Sequence, residues 1–500
     1  MPTQNRQTQE EKIFGMSPLV DSQYLRSAGR AVAFPFRVTL TCRGQPCELY
    51  CTQMLRVLPG KRLVCFGQCF GEQVVAKFFL DPEGGRRHYT REKRGVSALS
   101  AAGIKTPALL FKGTLTSDGT PILCFRRILA AQNLGKAWQQ AVHDSQRGEF
   151  LGRALAVIAN QHQAGLKQDD PHLGNFLLHE EDIYTIDGAA VDIRQIGKPL
   201  SKAQSLRNVG LFFAQLYPRF DSLAANAFEI YAEQRQWPLD KRLRSQLLKE
   251  ICSQRNQRKE RYLRKIYREC SDFVCRKAWD FFLVCDRAFY HGPAVRFLTN
   301  PDPFVDADTK IKDGNTSTVA LVNMDGRRLV VKRYNIKNPW HAITRAMRPS
   351  RAWISWKNAH RLNILGIPTP KPVALLEKRW GPFRYKAYFV TEYVNGMDAH
   401  GWFHSDLSKK RDAEDLVKQF RKLLQSFADA SISHGDLKAT NFLVTSQGLC
   451  TTDLDAMCEH RFRWQFVRAF RQDLVRLRRN WATLPEIDKM FREQLALIQL

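Results

Sequence analysis

The sequence predicts an α+β fold that is built twice, as two tandem domains that each begin with strands and continue with helices. Three observations predict it. A strand-like stretch ending in a lysine occurs twice, helix-like stretches follow each of them, and a short loop with aspartate and asparagine recurs late in each half. Because the same order of elements occurs twice at the same spacing, we interpret the chain as an internal duplication.

Composition along the chain predicts the bounds of these domains. A polar N-terminal lead, a first domain, a linker rich in Pro, Gly and Asp, and a second domain cover residues 1–35, 36–300, 301–314 and 315–500. Each domain divides into a strand-rich part and a helical part, at 36–130 and 131–300 in the first and at 315–397 and 398–500 in the second.

Each half begins with a strand that carries a lysine near its end. The stretches "EQVVAKFFL" (72–80) and "RRLVVKRYN" (327–335) are rich in β-branched and apolar residues, which is typical of strands, and they place Lys77 and Lys332 in matching positions. A helix-like segment follows each, and then a turn, "GIKTP" or "GIPTP". An ordinary solvated strand-end lysine remains the alternative at both positions.

The two loops, "LKQDDPHLGNFLL" (166–178) and "SHGDLKATNFLV" (433–444), carry the chemistry. In each, an aspartate precedes an asparagine by five positions, and another aspartate follows on the next strand-like stretch. This spacing is typical of phosphoryl transfer, where the first aspartate orients an attacking hydroxyl and the other two side chains offer hard oxygen ligands to Mg²⁺. Plain turn chemistry is the alternative.

Both halves resemble eukaryotic-like kinase domains, since "HGDLKATN" is similar to H-R-D-L-x-x-x-N and "VVAK" to V-A-I-K. The resemblance implies ATP and Mg²⁺ as cofactors. It implies that Lys77 and Lys332 bind the nucleotide phosphates and that Glu92, on the helix, is the partner of Lys77. It implies catalytic roles for Asp170, Asp436 and Lys438, and metal binding by Asn175, Asp187, Asn441 and Asp453.

The sequence also departs from that pattern. Gln168 stands where the first loop should begin with histidine, and Ser355 stands where the second helix should carry its glutamate. The triplets "DGA" (187–189) and "DLD" (453–455) replace D-F-G, which makes Asp455 a candidate extra ligand. The segments that follow run quickly into helix and leave little room for a loop that binds a protein substrate.

These short segments, the "DLD" triplet and "RAWISWKNAHRLNILGIPTPKPVALLE" (351–377) resemble a narrower group, the bacterial lipopolysaccharide core kinases. The resemblance implies a double-domain member that transfers the γ-phosphoryl group of ATP to a hydroxyl of heptose or 3-deoxy-D-manno-octulosonic acid in the lipopolysaccharide inner core. Because that acceptor is a membrane-embedded glycolipid, it also implies a cytoplasmic enzyme that is peripheral on the inner membrane.

The charge agrees with an anionic partner. The formal net charge is +28. Basic residues alternate with aromatic and apolar residues at 461–481, and a second stretch rich in Lys and Arg lies at 255–270. Such stretches settle on anionic headgroups or hold oligosaccharide phosphates, although either can be just a solvated face. We do not expect nucleic acid as a partner, because no recognition module is visible. No apolar run long enough to span a membrane and no secretory h-region is present.

Twelve scattered cysteines indicate reduced thiols, and two C-x-x-x-C pairs, at 47–51 and 65–69, raise zinc as a weaker alternative. Two further functions compete with the sugar kinase. A tandem pseudokinase could bind nucleotide or glycolipid without turnover, which the departures at Gln168 and Ser355 favour. Phosphorylation of a protein or small molecule is the third hypothesis.

Overall fold

The structure is a computed structural model that describes residues 17–42, 44–306, 310–314, 317–335, 348–381, 383–405 and 410–500. The described residues divide into two units. One unit holds the described residues up to Leu216 together with Phe220–Arg255, and the other holds Tyr217–Arg219 together with the described residues from Asn256 onward. Both units combine sheets with helices, so the predicted α+β class is confirmed.

Six antiparallel strands of the first unit close into a barrel in the order β1-β2-β3-β4-β6-β5. Their bounds are β1 Phe36–Cys42, β2 Gln45–Leu58, β3 Arg62–Cys69, β4 Glu72–Phe79, β5 Leu109–Leu115 and β6 Pro121–Arg126. Burial alternates along β1, where Phe36, Val38 and Leu40 are fully buried and the residues between them are not. Because successive strand residues point to opposite faces, this alternation fills the barrel interior with apolar side chains.

The cysteines of the barrel belong to this core. Five are buried: Cys42, Cys51, Cys65, Cys69 and Cys124. Burial raises the pKa of the Cys69 thiol to about 11, which keeps it protonated at neutral pH. Within the described ranges, no group of three or more His, Cys, Asp or Glu side chains is placed to hold a metal ion. The structure therefore assembles no zinc site from the C-x-x-x-C pairs.

The rest of the first unit is helical, with short strands around the predicted loop. The strands are β7 Gln132–Asn133, β8 Lys167–Gln168, β9 Phe176–His179, β10 Asp182–Thr185 and β11 Val191–Asp192. The helices, the last of which continues into the second unit, are α1 Ser22–Ala28, α2 Gly85–Ala101, α3 Leu134–Gln140, α4 Asp144–Gln163, α5 Lys202–Phe213, α6 Asp221–Gln234 and α7 Lys241–Lys265. A capping box between Ser201 and Gln204 starts α5.

A seven-stranded sheet opens the second unit, in the order β12-β13-β17-β18-β16-β15-β14. Its strands are β12 Phe273–Lys277, β13 Phe281–Asp286, β14 Lys310–Gly314, β15 Ser317–Met324, β16 Arg327–Tyr334, β17 Pro372–Trp380 and β18 Phe383–Glu392. Short strands follow at β19 Met397–Asp398, β20 Ile432–Ser433, β21 Phe442–Thr445, β22 Gly448–Thr451 and β23 Cys458–Glu459. The described helices are α8 Gly292–Thr299, α9 Asp302–Val305, α10 Arg351–Leu365, α11 Ala399–Phe403, α12 Lys410–Asp429, α13 Arg463–Arg478 and α14 Pro485–Leu495.

The division between the units lies earlier than the linker predicted at 301–314. The strands β12 and β13 fall inside the stretch 131–300, which we expected to be helical, and β13 pairs with β17 of the second sheet, for example Cys285 with Ala374. Pairing with β17 buries Val284 and Cys285 completely. Strand pairing therefore draws this hairpin into the second unit.

The predicted polar lead is partly folded. Residues 1–16 lie outside the described residues. Helix α1 follows, and its Arg26 forms an ion pair of 2.7 Å with Asp118 while its Leu25 is fully buried. The described part of the predicted lead, residues 17–35, thus packs on the barrel through α1. No helix in the described ranges is both long enough and apolar enough to cross a membrane.

Candidate functional site

The lysine strand and the helix after it meet in the first unit. Lys77, on β4, forms an ion pair with Glu92 of α2, whose side chain is fully buried. Burial raises the pKa of Glu92, but the positive charge of Lys77 and the hydrogen bonds from Lys77 and Ala189 lower it by more. The pKa of Glu92 therefore lies below its ordinary value, and its carboxylate is ionised at neutral pH.

Glu92 also holds the segment that follows Asp187. Its carboxylate accepts hydrogen bonds from the backbone N–H groups of Gly188, at 3.3 Å, and Ala189, at 3.1 Å. The helix and this segment approach so closely that a Cβ at Gly95 would lie 1.9 Å from the carbonyl oxygen of Gly188. Glycine at position 95 is thus required for the approach, and Glu92 links Lys77 to the segment after the predicted metal aspartate.

The predicted loop of the first unit is held by its asparagine. Asn175 donates from Nδ2 to the carbonyl oxygen of Asp170, at 2.9 Å, and to Oε1 of Gln168, at 3.0 Å. The backbone carbonyl oxygen of Asn175 accepts from the N–H of Ile186, at 2.8 Å. Because Ile186 directly precedes Asp187, these contacts bring the three predicted residues, Asp170, Asn175 and Asp187, onto adjoining segments.

The loop of the second unit has the same contacts. Asn441 donates from Nδ2 to the backbone carbonyl oxygen of Asp436, at 2.8 Å, and its own backbone carbonyl oxygen accepts from the N–H of Thr452, at 2.8 Å. Thr452 directly precedes Asp453. Asp187 follows β10 and Asp453 follows β22. Both aspartates have left-handed backbones, with φ of 68° and 55°. Lys438 lies beside the predicted base, with Nζ 3.0 Å from Oδ1 of Asp436.

The lysine of the second unit has different partners. Lys332 Nζ lies 2.5 Å from Oδ1 of Asp453 and 3.3 Å from Oδ2 of Asp455. Ser355, which replaces the helix glutamate, is buried and shares a hydrogen bond of 2.9 Å with the hydroxyl of Tyr334. The helix contributes a cation instead, because Arg351 Nη2 lies 2.7 Å from Oδ2 of Asp455.

These contacts set the charge of the cluster. Burial lowers the pKa of Lys332, whereas Tyr334, Asp455 and Asp453 raise it by more, so its pKa lies above its ordinary value. Burial raises the pKa of Asp453 and Lys332 lowers it by more, so this carboxylate is ionised at neutral pH. The side chain of Asp455 is only 7% exposed, so it is a largely buried anion between two cations.

Helix residues that the sequence analysis missed brace the second loop. Asp473 of α13 is buried, and its Oδ2 accepts hydrogen bonds from the backbone N–H groups of His434, at 2.7 Å, and Gly435, at 3.1 Å. Asp473 is the sole acidic residue of α13 and lies on its buried face with Phe466, Phe470 and Leu477. An acid on an apolar stripe was the signal that could have identified it.

Histidine and asparagine side chains brace the first loop. His162 is fully buried between the hydroxyl of Tyr231, at 2.7 Å, and Oδ1 of Asn208, at 2.9 Å. Burial lowers the pKa of His162 to about 3, so it stays neutral. Asn208 donates to the carbonyl oxygen of Gln168, at 2.7 Å. This histidine therefore acts as a structural residue.

The polar groups that remain are suitable ligands for Mg²⁺. Both asparagines use their amide nitrogen on a backbone carbonyl, which leaves the amide oxygen as the free acceptor. Within the described ranges, the carboxylate of Asp187 has no hydrogen bond or ion pair, whereas that of Asp453 is bound to Lys332. Carboxylate and amide oxygens are the ligands that Mg²⁺ prefers. The donor set fits that ion in the first unit directly and in the second unit in competition with Lys332.

Comparison with known proteins supports a relationship to the lipopolysaccharide kinases. Residues 306–496 match the model of the Lipopolysaccharide kinase (Kdo/WaaP) family. A 3-deoxy-D-manno-octulosonic acid kinase from Actinobacillus succinogenes is 27% identical over 138 residues, which is 26% of this chain and 56% of that protein. The chain thus spans about half the length of this relative. The predicted resemblance to the lipopolysaccharide core kinases is confirmed for residues 306–496.

A solved structure, the crystal structure of a rhoptry kinase from Toxoplasma gondii, is similar over 35% of this chain and 56% of that one. Its identity to this chain is 12% and the TM-score is 0.28.

Proposed function

We propose that the protein is an ATP- and Mg²⁺-dependent kinase that phosphorylates a sugar hydroxyl of the lipopolysaccharide inner core, on heptose or 3-deoxy-D-manno-octulosonic acid. The observation that carries the proposal is the group of Asp436, Asn441 and Asp453, held together by backbone contacts inside the region that matches the family model. We place the transfer in the second unit for this reason.

In this proposal each side chain of the second site has one role. Asp436, whose side chain is 34% exposed, accepts the proton of the sugar hydroxyl, and Lys438 beside it offsets charge on the transferred group. Lys332 binds the nucleotide phosphates, while Asn441 and Asp453 hold the metal. When bound, Mg²⁺ and ATP supply the phosphoryl group and neutralise its charge. Asp455 keeps Lys332 in place while Asp453 serves the metal.

The first unit repeats the same order of lysine, helix, loop and aspartate, so we propose that the chain is a tandem duplication of one kinase-like domain. A further contact recurs in both units and supports this. The backbone N–H of Thr185, just before Asp187, donates to the carbonyl oxygen of Lys105 in the turn "GIKTP". In the same way, the N–H of Thr451, just before Asp453, donates to the carbonyl oxygen of Pro368 in the turn "GIPTP". The first unit has the Lys77–Glu92 pair and a free Asp187, which suits nucleotide binding.

We also propose that the enzyme works at the cytoplasmic face of the inner membrane, as a peripheral protein, because the acceptor is a glycolipid. The basic surface supports this location. The segments after Asp187 and Asp453 are short, since β11 or β23 and then a helix follow closely. They favour a small acceptor over a protein substrate.

The experiment is transfer of labelled γ-phosphate from ATP to phosphatase-treated rough lipopolysaccharide by the purified chain. Asp436→Asn should abolish transfer, and Asp170→Asn should leave a measurable rate. Asp415→Asn is the control, because Asp415 is an exposed acid of α12 whose ion pair is with Lys418 of the same helix. Full transfer by Asp436→Asn would contradict the proposal.

A second function has one observation in its favour. The contact of Lys332 with Asp453 occupies the carboxylate that a metal needs, which suits a tandem pseudokinase that binds nucleotide or glycolipid without turnover. Thermal stabilisation by ATP that depends on Mg²⁺, without phosphate transfer to any acceptor, would favour this scaffold over the kinase.

A further inference from the structure

Helix α13 carries an outward stripe of cations and apolar groups. Trp464, Arg468, Arg471 and Val475 recur at helical spacing on one face, and Arg479 continues the stripe just beyond the helix. All five are exposed; Trp464 and Val475 are 66% and 52% exposed. The opposite face holds the buried Phe466, Phe470, Asp473 and Leu477. The stripe is therefore a surface that the fold itself leaves uncovered.

Two adjoining cavities lie along this stripe. The larger, of about 670 Å³, lies between α13 and α14 and is lined by cations and a tryptophan, among them Arg478, Arg479, Trp481, Lys489 and Arg492. The smaller, of about 340 Å³, is lined by Arg471, Gln472, Val475, Arg476 and Arg479. The two share Val475 and Arg479. We call them together the arginine groove.

Positive charge in the arginine groove exceeds negative charge. Asp488 is the acid that lines it, and its carboxylate is already bound by Arg478, at 3.2 Å, and by Arg492, at 2.6 Å. Arg471, Arg479 and Lys489 have no acidic partner in the part of the chain that the structure describes. Each of the two cavities is lined by two of these cations, which favours an anionic ligand, and guanidinium groups suit carboxylate or phosphate oxygens.

The arginine groove begins at the catalytic loop. Arg476 lines the smaller cavity, and its Nη1 donates to the carbonyl oxygen of Gly435, at 2.6 Å, and to Oδ1 of Asp473, at 3.1 Å. Gly435 directly precedes Asp436, the proposed base. Arg476 thus connects the smaller cavity to the backbone of the loop that carries Asp436.

The other basic stretch that the sequence singled out, 255–270, offers less. In the first unit Arg255 is bound to Asp221, at 2.6 Å, and in the second unit Lys259 is largely buried and forms an ion pair with Glu459. Structural partners thus take up cations of this stretch, whereas cations of the arginine groove remain available.

We propose that the arginine groove binds an anionic group, a carboxylate or phosphate, carried by the saccharide acceptor next to the hydroxyl that is phosphorylated. The inference rests on the proposed function. Arg471 and Arg479 are the residues that make the contact, so the enzyme selects acidic saccharides over neutral ones. Headgroups of anionic lipids have the same chemistry and are the alternative source that the test must separate.

The test compares Arg471→Gln/Arg479→Gln with Arg461→Gln/Arg463→Gln. The control removes the same charge from exposed arginines that line neither cavity. Binding of de-acylated lipopolysaccharide core, which has no lipid, is measured by calorimetry, and binding to phosphatidylglycerol vesicles by sedimentation. We expect the groove variant to bind the oligosaccharide at least about tenfold more weakly, with its melting temperature and its affinity for ATP unchanged. The control variant should bind the oligosaccharide as the unmodified protein does.

Two outcomes would overturn the inference. One is equal oligosaccharide binding by the groove variant and the control. The other is loss of vesicle binding alone in the groove variant, which would assign the groove to lipid headgroups. Because binding is read without turnover, a failure of phosphate transfer would contradict the proposed function without deciding this test.

Discussion

Arg351 and Asp455 form an ion pair in the second unit, with Nη2 and Oδ2 2.7 Å apart, and Lys332 approaches the same carboxylate oxygen. In the first unit the corresponding lysine is bound by a glutamate on the helix. The second unit thus reverses the charges: the helix supplies the cation, and the "DLD" triplet supplies the anion.

This reversal predicts the effect of Asp455→Asn. The change removes the largely buried negative charge between Lys332 and Arg351, so Arg351 loses its carboxylate partner and Lys332 keeps only Asp453. We expect the free energy of unfolding to fall by about 2 kcal/mol and phosphate transfer to be lost. Urea denaturation and the transfer assay measure the two effects. Asp415→Asn, which removes an exposed anion from α12, should change stability by less than about 0.5 kcal/mol; an equal loss in both variants would contradict the role of Asp455.

A second prediction concerns pH and Glu92. Its pKa is lowered in the folded state, so its contribution to stability is complete above the ordinary value of 4.5 and is lost as the pH falls through the folded value. Glu92→Gln lacks this ionisation. The variant should therefore be less stable than the unmodified protein at pH 7 and should lose less stability between pH 5 and pH 3. Urea midpoints across this range give the answer, and parallel curves would contradict it.

A third prediction uses two helix glycines. Gly95→Ala places a Cβ 1.9 Å from the carbonyl oxygen of Gly188, so α2 must move away from the segment after Asp187. We expect a loss of about 2 kcal/mol and weaker ATP binding by the first unit. Gly148→Ala is the matched control: its Cβ would meet Leu223 at 3.9 Å, and the helix should gain up to about 1 kcal/mol. Similar effects of the two changes would show that the close approach is unimportant.

A fourth prediction concerns Asp473. Asp473→Ala leaves the backbone N–H groups of His434 and Gly435 without their acceptor inside the fold. We expect kcat to fall at least roughly tenfold while KM for ATP changes little, because the loop that carries Asp436 loses its support. Steady-state kinetics test this. Asp473→Asn keeps one acceptor oxygen and should recover part of the rate; identical defects in the two variants would argue for a purely electrostatic role.

Local patterns in the sequence were enough to predict much of the site. The spacing from Asp170 to Asn175 and from Asp436 to Asn441 is fixed by a single turn, so it is visible without the fold. The lysine strands were visible because β-branched residues surround Lys77 and Lys332. Whether these residues have the catalytic and metal-binding roles assigned to them stays a prediction.

Contacts between residues far apart in the sequence were harder to predict. Arg351 and Asp455 are about a hundred positions apart, and although the "DLD" triplet pointed to Asp455, no local pattern pointed to Arg351 as its partner. The hairpin of β12 and β13 was missed because it follows the long polar helix α7, and its partner strand β17 lies far along the chain. Pairing between distant segments decides such features, and local propensity does not report it.

The most direct test of the central claim is mass spectrometry of lipopolysaccharide from cells that carry the unmodified chain or Asp436→Asn at equal protein levels. The account predicts that core species with the added phosphate are present in the first and missing in the second. Core phosphate content that is the same in both would contradict it.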